Sequence, residues 1–365
     1  MTDILKIAFL HMTMGIVERG SEIVIDNLAT ELSKKHDVLL IQSGKSTGKS
    51  YQVKRVMPFD SAPVPAPSNI LNKLLFRLHL DDESGRVAEF TKAALPTISS
   101  FNPDIIVAVN GSLQLKILQG QALPAQAGFK AKLVTFGHAG IGYHDRDTLR
   151  TCPDLFVALT QTAEVWARQH APKSTKVKYI PNPIDLKSFK QTKPANLKLE
   201  QPIVLTVSAL SKYKNVEKVI RAIKQTVSSY LLIGEGEGSE TIAKEFGTLA
   251  NSFVWIKHVE PSIIPSYFLA SDVFCFTPDP QEAFGLVYLE AMTAGLPIVA
   301  SDDPIRRELI GPHGIYVDPR NPDSIARGIN QAIQLDKIDY SKELESYDLK
   351  TVTKQIEKEF HDLIK

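Results

Sequence analysis

The sequence predicts an α/β protein of two domains, each built on a parallel β-sheet with helices on both faces. Its 365 residues suffice for two domains of ordinary size. Short apolar runs alternate with helical stretches, which is typical of βα units. This alternation stops at a proline-rich turn, Pro181–Asp185, and starts again at Ile203.

The N-terminal half opens with a βαβ pattern. Ile7–Leu10 is a short apolar run, and the glycine-containing stretch Thr13–Gly20 follows it. Apolar residues from Ile23 to Leu32 then recur near helical spacing, and Val38–Ile41 predicts the second strand. Further strands are predicted at Ile105–Val109, Leu133–Phe136 and Leu155–Leu159.

Asn69–Leu80 is predicted to be an amphipathic helix that follows a loop with three prolines. Its leucines at 71, 74, 75 and 78 have the i, i+3, i+4, i+7 spacing of one helix face. We expect this face to pack on its own domain, with a substrate-facing or membrane-facing surface as the alternative.

In the C-terminal half, a polar, lysine-rich stretch at Lys187–Gln201 is interpreted as the interdomain connection. A second doubly wound sheet is then predicted. Its strands are Ile203–Val207, Tyr230–Ile233, Phe253–Ile256, Val273–Phe276, Ile298–Ala300 and Ile315–Val317.

Composition narrows the class of protein. The 42 Lys and Arg residues nearly balance the 41 Asp and Glu residues, whereas nucleic-acid binders usually carry a basic excess. Cys152 and Cys275 lack metal-site spacing, so we expect two core thiols in a reducing compartment. The first residues show no signal-peptide pattern, and no apolar run approaches the ~20 residues of a membrane span. A cytoplasmic protein is therefore expected.

The most informative stretch is Glu282–Met292, which reads EAFGLVYLEAM. Good helix formers fill residues 285 to 294, so Glu282 is expected in the preceding loop and Glu290 about two turns into the helix. Both carboxylates can face the crevice at the carboxyl ends of the strands. A helix N-terminus attracts phosphate, and Gly285 lets a diphosphate come close.

The longer segment Glu282–Asp302, EAFGLVYLEAMTAGLPIVASD, resembles the signature of the retaining glycosyltransferases of the GT4 family. The resemblance implies the GT-B architecture, two facing Rossmann-like domains with a deep interdomain cleft. Its implied boundaries are an acceptor-binding domain at 1–182, a donor-binding domain at 183–345 and a C-terminal helix at 346–365 that crosses back to the first domain.

The resemblance also implies roles for individual residues. Glu290 would hold the donor ribose, and Lys214 would neutralise the diphosphate. Glu282 would bind the donor sugar and diphosphate together with the backbone N–H groups of Ala283, Phe284, Gly285 and Leu286. In the N-terminal half, Gly15 would belong to a loop that closes over the diphosphate. His138 would line the reaction centre, with His144 as a weaker candidate nearby.

One departure from the family stands out. The family usually reads Gly-Arg-Leu before the lysine, and this chain has Ser208-Ala209-Leu210. The arginine that would share the diphosphate is thus missing at Ala209. A second cation is expected, and the candidates are Lys212 and Arg19.

Several other motifs predict no separate chemistry. Ser43–Ser50 nearly matches a phosphate-binding P-loop, but it lacks the first glycine and a following helix. Gly234–Gly238 lacks the spacing of a dinucleotide site, and Gly234 fits a turn of the donor domain instead. The acidic pairs Asp81–Asp82 and Asp302–Asp303 are expected in solvated loops, and we expect no metal and no cofactor besides the donor substrate.

The predicted function is transfer of a hexosyl group from a UDP- or GDP-sugar to a hydroxyl acceptor in glycan or glycolipid synthesis. The acceptor is a glycan, a lipid-linked molecule or a small molecule, and peripheral contact at the inner membrane face stays open. The alternatives are a sugar phosphorylase, a sugar-nucleotide epimerase, a non-catalytic nucleotide-sugar binder and a dehydrogenase.

Overall fold

The computed structural model describes residues 3–46, 48–58, 74–75, 77–121, 129–246 and 253–365. The chain forms two compact units. The N-terminal unit contains Met1–Pro183 together with Val352–Lys365, and the C-terminal unit contains Ile184–Thr351.

Each unit is built on one parallel sheet. The strands are β1 Lys6–His11, β2 Asp37–Gln42, β3 Gln52–Arg55, β4 Ile105–Ala108, β5 Lys132–Phe136, β6 Leu155–Ala158, β7 Lys176–Tyr179, β8 Ile203–Val207, β9 Ser229–Ile233, β10 Phe253–Ile256, β11 Val273–Phe276, β12 Ile298–Ser301 and β13 Ile315–Val317. The N-terminal sheet has the order β3-β2-β1-β4-β5-β6-β7, and the C-terminal sheet has the order β10-β9-β8-β11-β12-β13.

Helices follow most of the strands. They are α1 Gly20–Leu32, α2 Asp82–Phe101, α3 Gly111–Leu118, α4 Tyr143–Arg150, α5 Gln161–His170, α6 Leu186–Lys190, α7 Val216–Ile223, α8 Ser239–Phe246, α9 Ile264–Leu269, α10 Leu286–Thr293, α11 Pro304–Ile310, α12 Pro322–Ala332, α13 Ser341–Leu344 and α14 Leu349–Ile364. None of those that the structure describes is long and apolar enough to cross a membrane.

Strand order creates a switch point in each sheet. The C-terminal sheet grows from β8 through β9 to β10 on one side, and β11 then pairs with β8 on the other. In the N-terminal sheet, β1 pairs with β2 on one side and with β4 on the other. Ligands of open α/β sheets bind where the strand order reverses in this way.

The cores are apolar side chains held between sheet and helices. In the N-terminal unit, Phe90, Ala94 and Ile98 of α2 are fully buried against the strands. In the C-terminal unit, Ile220 of α7 and Ile329 of α12 pack on the central strands in the same way. These buried stripes recur every three or four residues, which is why the segments form helices on a sheet.

The last helix, α14, belongs to the N-terminal unit from Val352 onward. Its apolar face, Val352, Ile356 and Phe360, is at most 1% exposed. Two ion pairs support it, Lys35 Nζ to Glu357 at 2.9 Å and Lys176 Nζ to Glu359 at 2.7 Å.

His36, Glu357 and His361 come close enough together to be ligands of a metal ion. However, the Nδ1 atom of His36 accepts the N–H of Leu5 at 3.2 Å, so its Nε2 atom carries the ring proton. That nitrogen lies 3.4 Å from Glu357, whose carboxylate Lys35 already contacts. We therefore interpret these contacts as polar interactions that hold α14 against the N-terminal unit.

The P-loop-like stretch packs against the first glycine loop of the same unit. A Cβ atom on Gly44 would lie 2.1 Å from the carbonyl carbon of Gly15. A Cβ atom on Gly15 would lie 2.5 Å from the Lys45 carbonyl oxygen. Strand β3 follows, not a helix. The glycines thus allow two loops to touch.

The structure differs from the sequence predictions for the cysteines and for the segment 69–80. Cys275 is buried as expected, but Cys152 is exposed, so the prediction of two core thiols is wrong for Cys152. Cys152 has a φ of 56° just after α4, where the chain turns at the surface. Half of the predicted helix Asn69–Leu80 lies outside the described residues. Leu74 and Leu78 of its predicted apolar face are 52% and 56% exposed, so the prediction that this face packs on its own domain is wrong for these two leucines.

Candidate functional site

Lys214 and Glu282 meet at the switch point of the C-terminal sheet. Lys214 lies in a short 3-10 turn after β8, and Glu282 lies in the loop after the neighbouring strand β11. Their side chains form an ion pair, and each is 14% exposed. The Lys214 ammonium also lies 5.3 Å from the ring centroid of Phe276, which adds a cation–π contact.

Hydrogen bonds join the two loops that carry this pair. The N–H of Asp279 donates to the carbonyl of Tyr213 at 2.7 Å. The Asn215 amide donates to the Thr277 carbonyl at 3.1 Å and to the Asp279 carboxylate at 3.2 Å. Lys214 lies between Tyr213 and Asn215, so its backbone is held against the loop of Glu282.

Gly285 caps the N-terminus of α10 in the left-handed conformation, with a φ of 89°. A Cβ atom at this position would lie 2.8 Å from the ring of Tyr288, whose hydroxyl donates to the Phe276 carbonyl. The first N–H groups of α10, which begins at Leu286, have no acceptors within the helix. Gly285 thus permits a tight entry and leaves N–H donors at the loop of Glu282.

The two other predicted donor-loop residues, Ala283 and Phe284, precede this cap. The Phe284 side chain is buried and packs edge-on against Tyr347, with ring centroids 6.2 Å apart. This contact leaves only the backbone of Phe284 for a ligand, and its role in binding stays a prediction.

Glu290 is the fifth residue of α10, slightly more than one turn into the helix and not two. Burial raises the pKa of its carboxyl to about 7. Among the described residues, no hydrogen bond or ion pair of its carboxylate contributes to this shift. A half-buried carboxylate that has no partner in the described part of the chain can accept hydrogen bonds from ligand hydroxyls.

Gly234 follows β9 and lets two loops approach each other. Its φ is 130°, and a Cβ atom there would lie 2.0 Å from the Ser208 carbonyl oxygen. Ser208 precedes Ala209, the position of the missing arginine, and Ala209 is exposed. Of the two candidate second cations, Lys212 is exposed beside Lys214 and Arg19 is exposed before α1.

In the N-terminal unit, His138 is presented by a turn after β5. Its ring stacks on Phe136 at 5.6 Å, and its Nε2 atom is buried without a hydrogen-bond partner among the described residues. Burial lowers its pKa to about 4, and the nearby His11 acts in the same direction. His138 is therefore a neutral imidazole at physiological pH.

Asp145 of α4 holds that turn, and sequence reasoning missed it. Its buried carboxyl accepts the N–H groups of Ala139 and Gly140, and burial raises its pKa to about 8. A Cβ atom on Gly137 would lie 3.0 Å from its Oδ2 atom. The weaker candidate His144 is exposed on the same helix.

His11 and Glu22 were also missed as site residues. Glu22 accepts the hydroxyls of Thr13 at 2.7 Å and Ser21 at 2.9 Å, and it lies 3.9 Å from His11. Burial opposes its ionisation, but His11 and the two hydroxyls lower its pKa. The predicted loop residue Gly15 lies between Thr13 and Ser21, so the polar residues around it were the available signal.

Asp302 and Asp303 have different environments. Asp303 is 8% exposed, caps α11 and accepts the Nε–H of Arg306 at 2.8 Å. Asp302 pairs with Arg307 on the surface. Asp81 likewise caps α2 by accepting the N–H of Ser84, and Asp82 is the first residue of that helix. The prediction of a solvated loop therefore holds for Asp302, which is exposed before α11. It is wrong for Asp303, which is buried as a helix cap, and for Asp82, which lies in a helix.

The C-terminal unit is similar to known glycosyltransferases. Residues 188–348 match the family model of glycosyl transferases group 1. An uncharacterized glycosyltransferase of Haemophilus influenzae is 26% identical over 347 residues, 90% of each chain. An uncharacterized glycosyltransferase of Methanocaldococcus jannaschii is 28% identical over 212 residues, 51% of this chain and 52% of that protein. The chain thus matches only about half the length of this second relative.

A structural comparison confirms the fold. The crystal structure of Anabaena HepE in complex with UDP and glucose superposes with a TM-score of 0.72 at 19% identity, covering 98% of this chain and all of that one. Two Rossmann-like domains of the GT-B class, predicted from the sequence, are therefore confirmed. The glycosyltransferase resemblance is confirmed by the family match, and the narrower GT4 assignment stays a prediction.

Proposed function

We propose that this protein is a retaining glycosyltransferase that moves a hexosyl group from a nucleotide-diphosphate sugar to a hydroxyl acceptor. The observation that carries the proposal is the arrangement around α10. A lysine–glutamate pair lies at its start, together with N–H groups that have no acceptor within the helix. Glu290, whose carboxylate has no hydrogen bond or ion pair among the described residues, lies on the helix itself. All of them belong to the segment that matches the glycosyltransferase family.

In the proposed donor complex, each of these groups binds one part of the nucleotide sugar. The Glu290 carboxylate accepts two hydrogen bonds from the ribose hydroxyls. The N–H groups of Gly285 and Leu286 and the positive end of α10 bind the diphosphate. Lys214 exchanges part of its contact with Glu282 for the diphosphate, and Glu282 then accepts hydroxyls of the donor sugar.

Bond cleavage follows from this arrangement. As the bond between the sugar and the diphosphate breaks, negative charge builds on the diphosphate, and Lys214 stabilises it in the transition state. The acceptor hydroxyl attacks from the face that the diphosphate leaves, so the sugar keeps its anomeric configuration. A phosphate oxygen of the leaving group takes the acceptor's proton.

UDP and GDP are the two nucleotides that we propose as the leaving group of the donor. UDP and glucose are the ligands of the structurally similar Anabaena protein, and this supports a UDP-hexose as the first donor to test. We propose a glycan, lipid-linked or small-molecule acceptor.

Transfer from UDP-glucose and GDP-mannose to a panel of sugar and lipid-linked acceptors tests this proposal. We expect one donor to be consumed only when acceptor is present, with a product of the donor's anomeric configuration by NMR. Conversion of donor to an isomer without acceptor would indicate an epimerase, and donor formation or cleavage that depends on inorganic phosphate would indicate a phosphorylase. Binding without turnover would indicate a non-catalytic binder.

A further inference from the structure

Arg306 is the largest fully buried side chain among the described residues and has no role in the chemistry proposed above. It lies in the first turn of α11, and none of its surface is exposed. A buried guanidinium must have its charge balanced and its N–H groups bonded, because an unpaired buried charge is strongly destabilising. The partners of Arg306 therefore indicate what it does.

One partner is a carboxylate of its own helix. The Nε–H group donates to the Oδ2 atom of Asp303 at 2.8 Å. The Oδ1 atom of Asp303 accepts the backbone N–H groups of Ile305 and Arg306 at 3.0 and 3.1 Å. Asp303 thus balances the charge and fixes the direction of the guanidinium, whose two other nitrogens point away from α11.

Those two nitrogens donate to the loop that carries Glu282. Nη1 donates to the carbonyl of Glu282 at 2.6 Å, and Nη2 donates to the carbonyl of Asp279 at 3.3 Å. The N–H of Glu282 also donates to the Asp279 carbonyl at 3.1 Å. Arg306 therefore donates hydrogen bonds to both backbone carbonyls of this turn from the side of the protein core.

The same loop is held from its other sides by residues already described. Asp279 bonds Tyr213 and Asn215, which flank Lys214. The Ser301 hydroxyl donates to the Pro278 carbonyl at 2.5 Å. Arg306 is distinct in bonding Glu282 itself, whose carboxylate is the group that reaches Lys214.

We propose that Arg306 is a positioning residue of the donor site, which holds the backbone of Glu282 so that its carboxylate meets Lys214 and the donor sugar. This inference rests on the proposed function. Arg306 does not account for the chain's departure at Ala209. The guanidinium of Arg306 has its bonds within the protein, so it orders the site and does not replace the missing arginine on the diphosphate.

The prediction concerns the donor sugar and not the nucleotide. Misplacing a binding group by about 1 Å can lower the efficiency of a site by about a hundredfold. Because Glu282 is assigned to the sugar and Glu290 to the ribose, loss of Arg306 weakens binding of the UDP-sugar tenfold or more. Binding of free UDP changes by less than about threefold.

Three variants keep the test independent of folding. Arg306→Met retains most of the side-chain volume and removes all three bonds. Asp303→Asn combined with Arg306→Met avoids a buried unpaired carboxylate, since asparagine also caps helices. Arg306→Lys keeps a charge that can bond one carbonyl, and we expect it to recover part of the loss.

Calorimetric titration of UDP-glucose, GDP-mannose, UDP and GDP into the wild type and these variants gives the readout. The proposal predicts a raised ratio of nucleotide-sugar Kd to nucleotide Kd in the two variants without Arg306, with partial rescue in Arg306→Lys. An unchanged ratio, or failure of all three variants to fold, would show that Arg306 only supports the fold. If the wild type binds none of the nucleotides or sugars, the proposed function itself is wrong.

Discussion

Glu290 has a carboxyl group that titrates near neutral pH, since burial raises its pKa to about 7. Only the ionised carboxylate accepts hydrogen bonds from both ribose hydroxyls. Between pH 8 and pH 6 the ionised fraction falls about tenfold, and we expect the Kd for the nucleotide sugar to rise about tenfold. Titration calorimetry at several pH values measures this.

The matched control for this prediction is Glu290→Gln, which cannot ionise. It should bind more weakly than the wild type at pH 8 and show no pH dependence over the same range. Equal pH dependence in both proteins would mean that another group titrates.

Lys214 and Lys212 make a matched pair for mutation, because they lie two residues apart in one turn. Lys214 is mostly buried against Glu282, whereas Lys212 is exposed. If Lys214 stabilises the leaving diphosphate, Lys214→Met should lower kcat roughly 10²- to 10³-fold. Lys212→Met should change it less than about threefold. A comparable loss in Lys212→Met would identify Lys212 as the second cation and shift the charge assignment.

Asp145 predicts a pH dependence of stability. Its folded pKa of about 8 lies above the ordinary carboxyl value, so the folded state binds a proton that the unfolded state releases. Stability is therefore lost as the pH rises toward and through 8. Between pH 6 and 8 the loss is roughly 2 kcal/mol from this group.

Asp145→Asn keeps the acceptor oxygen for Ala139 and Gly140 and removes the titration. Urea unfolding at pH 6 and pH 8 should show that the wild type loses more stability than the variant. A variant that loses as much would contradict the assignment of a protonated Asp145.

The sequence predicted the candidate site residues that lie in a recognisable motif and missed the candidate residues that do not. Glu282, Glu290 and Lys214 were predicted as site residues from the motifs in which they lie. Arg306 and Asp145 act through contacts that only the fold creates, because their partners lie in other loops or turns. A buried arginine has no distinct signal in an exposed-looking sequence such as Asp302–Glu308.

Among the helices, the start of α10 depends on the glycine that caps it, Gly285. Gly285→Ala would place a Cβ atom 2.8 Å from the Tyr288 ring and hold alanine at a φ of 89°. We expect a loss of about 1–3 kcal/mol in stability together with weaker nucleotide binding. Gly85→Ala on α2, where nothing lies within 4 Å, is the control and should be neutral or stabilising. Chemical denaturation of both variants checks this, and a stable Gly285→Ala would contradict the strained cap.

The two strands that sequence patterns missed have a physical reason in common. Strands β3, QVKR, and β7, KVKY, are the two edges of the N-terminal sheet. These two edge strands carry charged side chains, which discourage pairing with other chains, so they lack the apolar run that identified the central strands. The central strands were predicted to within one or two residues because both of their faces are buried.

At the scale of the whole molecule, the chain leaves its first unit at Pro183 and returns to it at Val352. Phe360 of α14 is fully buried, so Phe360→Ala should destabilise the N-terminal unit by about 3–5 kcal/mol. Ile364→Ala, at a residue 40% exposed, should change stability by less than about 0.5 kcal/mol.

Hydrogen exchange measured by mass spectrometry locates the effect of Phe360→Ala. Peptides from β1 and β4 should exchange faster, and peptides from β8 and β11 should be unchanged. Faster exchange in both sheets would mean that the two units unfold together.

The central claim is that the C-terminal unit holds a nucleotide-diphosphate sugar through Glu290 and the start of α10. Calorimetric titration of UDP, GDP and ADP into the wild type and Glu290→Ala tests it most directly. We predict that UDP or GDP binds the wild type with a micromolar to low-millimolar Kd and that Glu290→Ala weakens this binding at least tenfold. Absence of binding at millimolar concentration, or equal binding by both proteins, would contradict it.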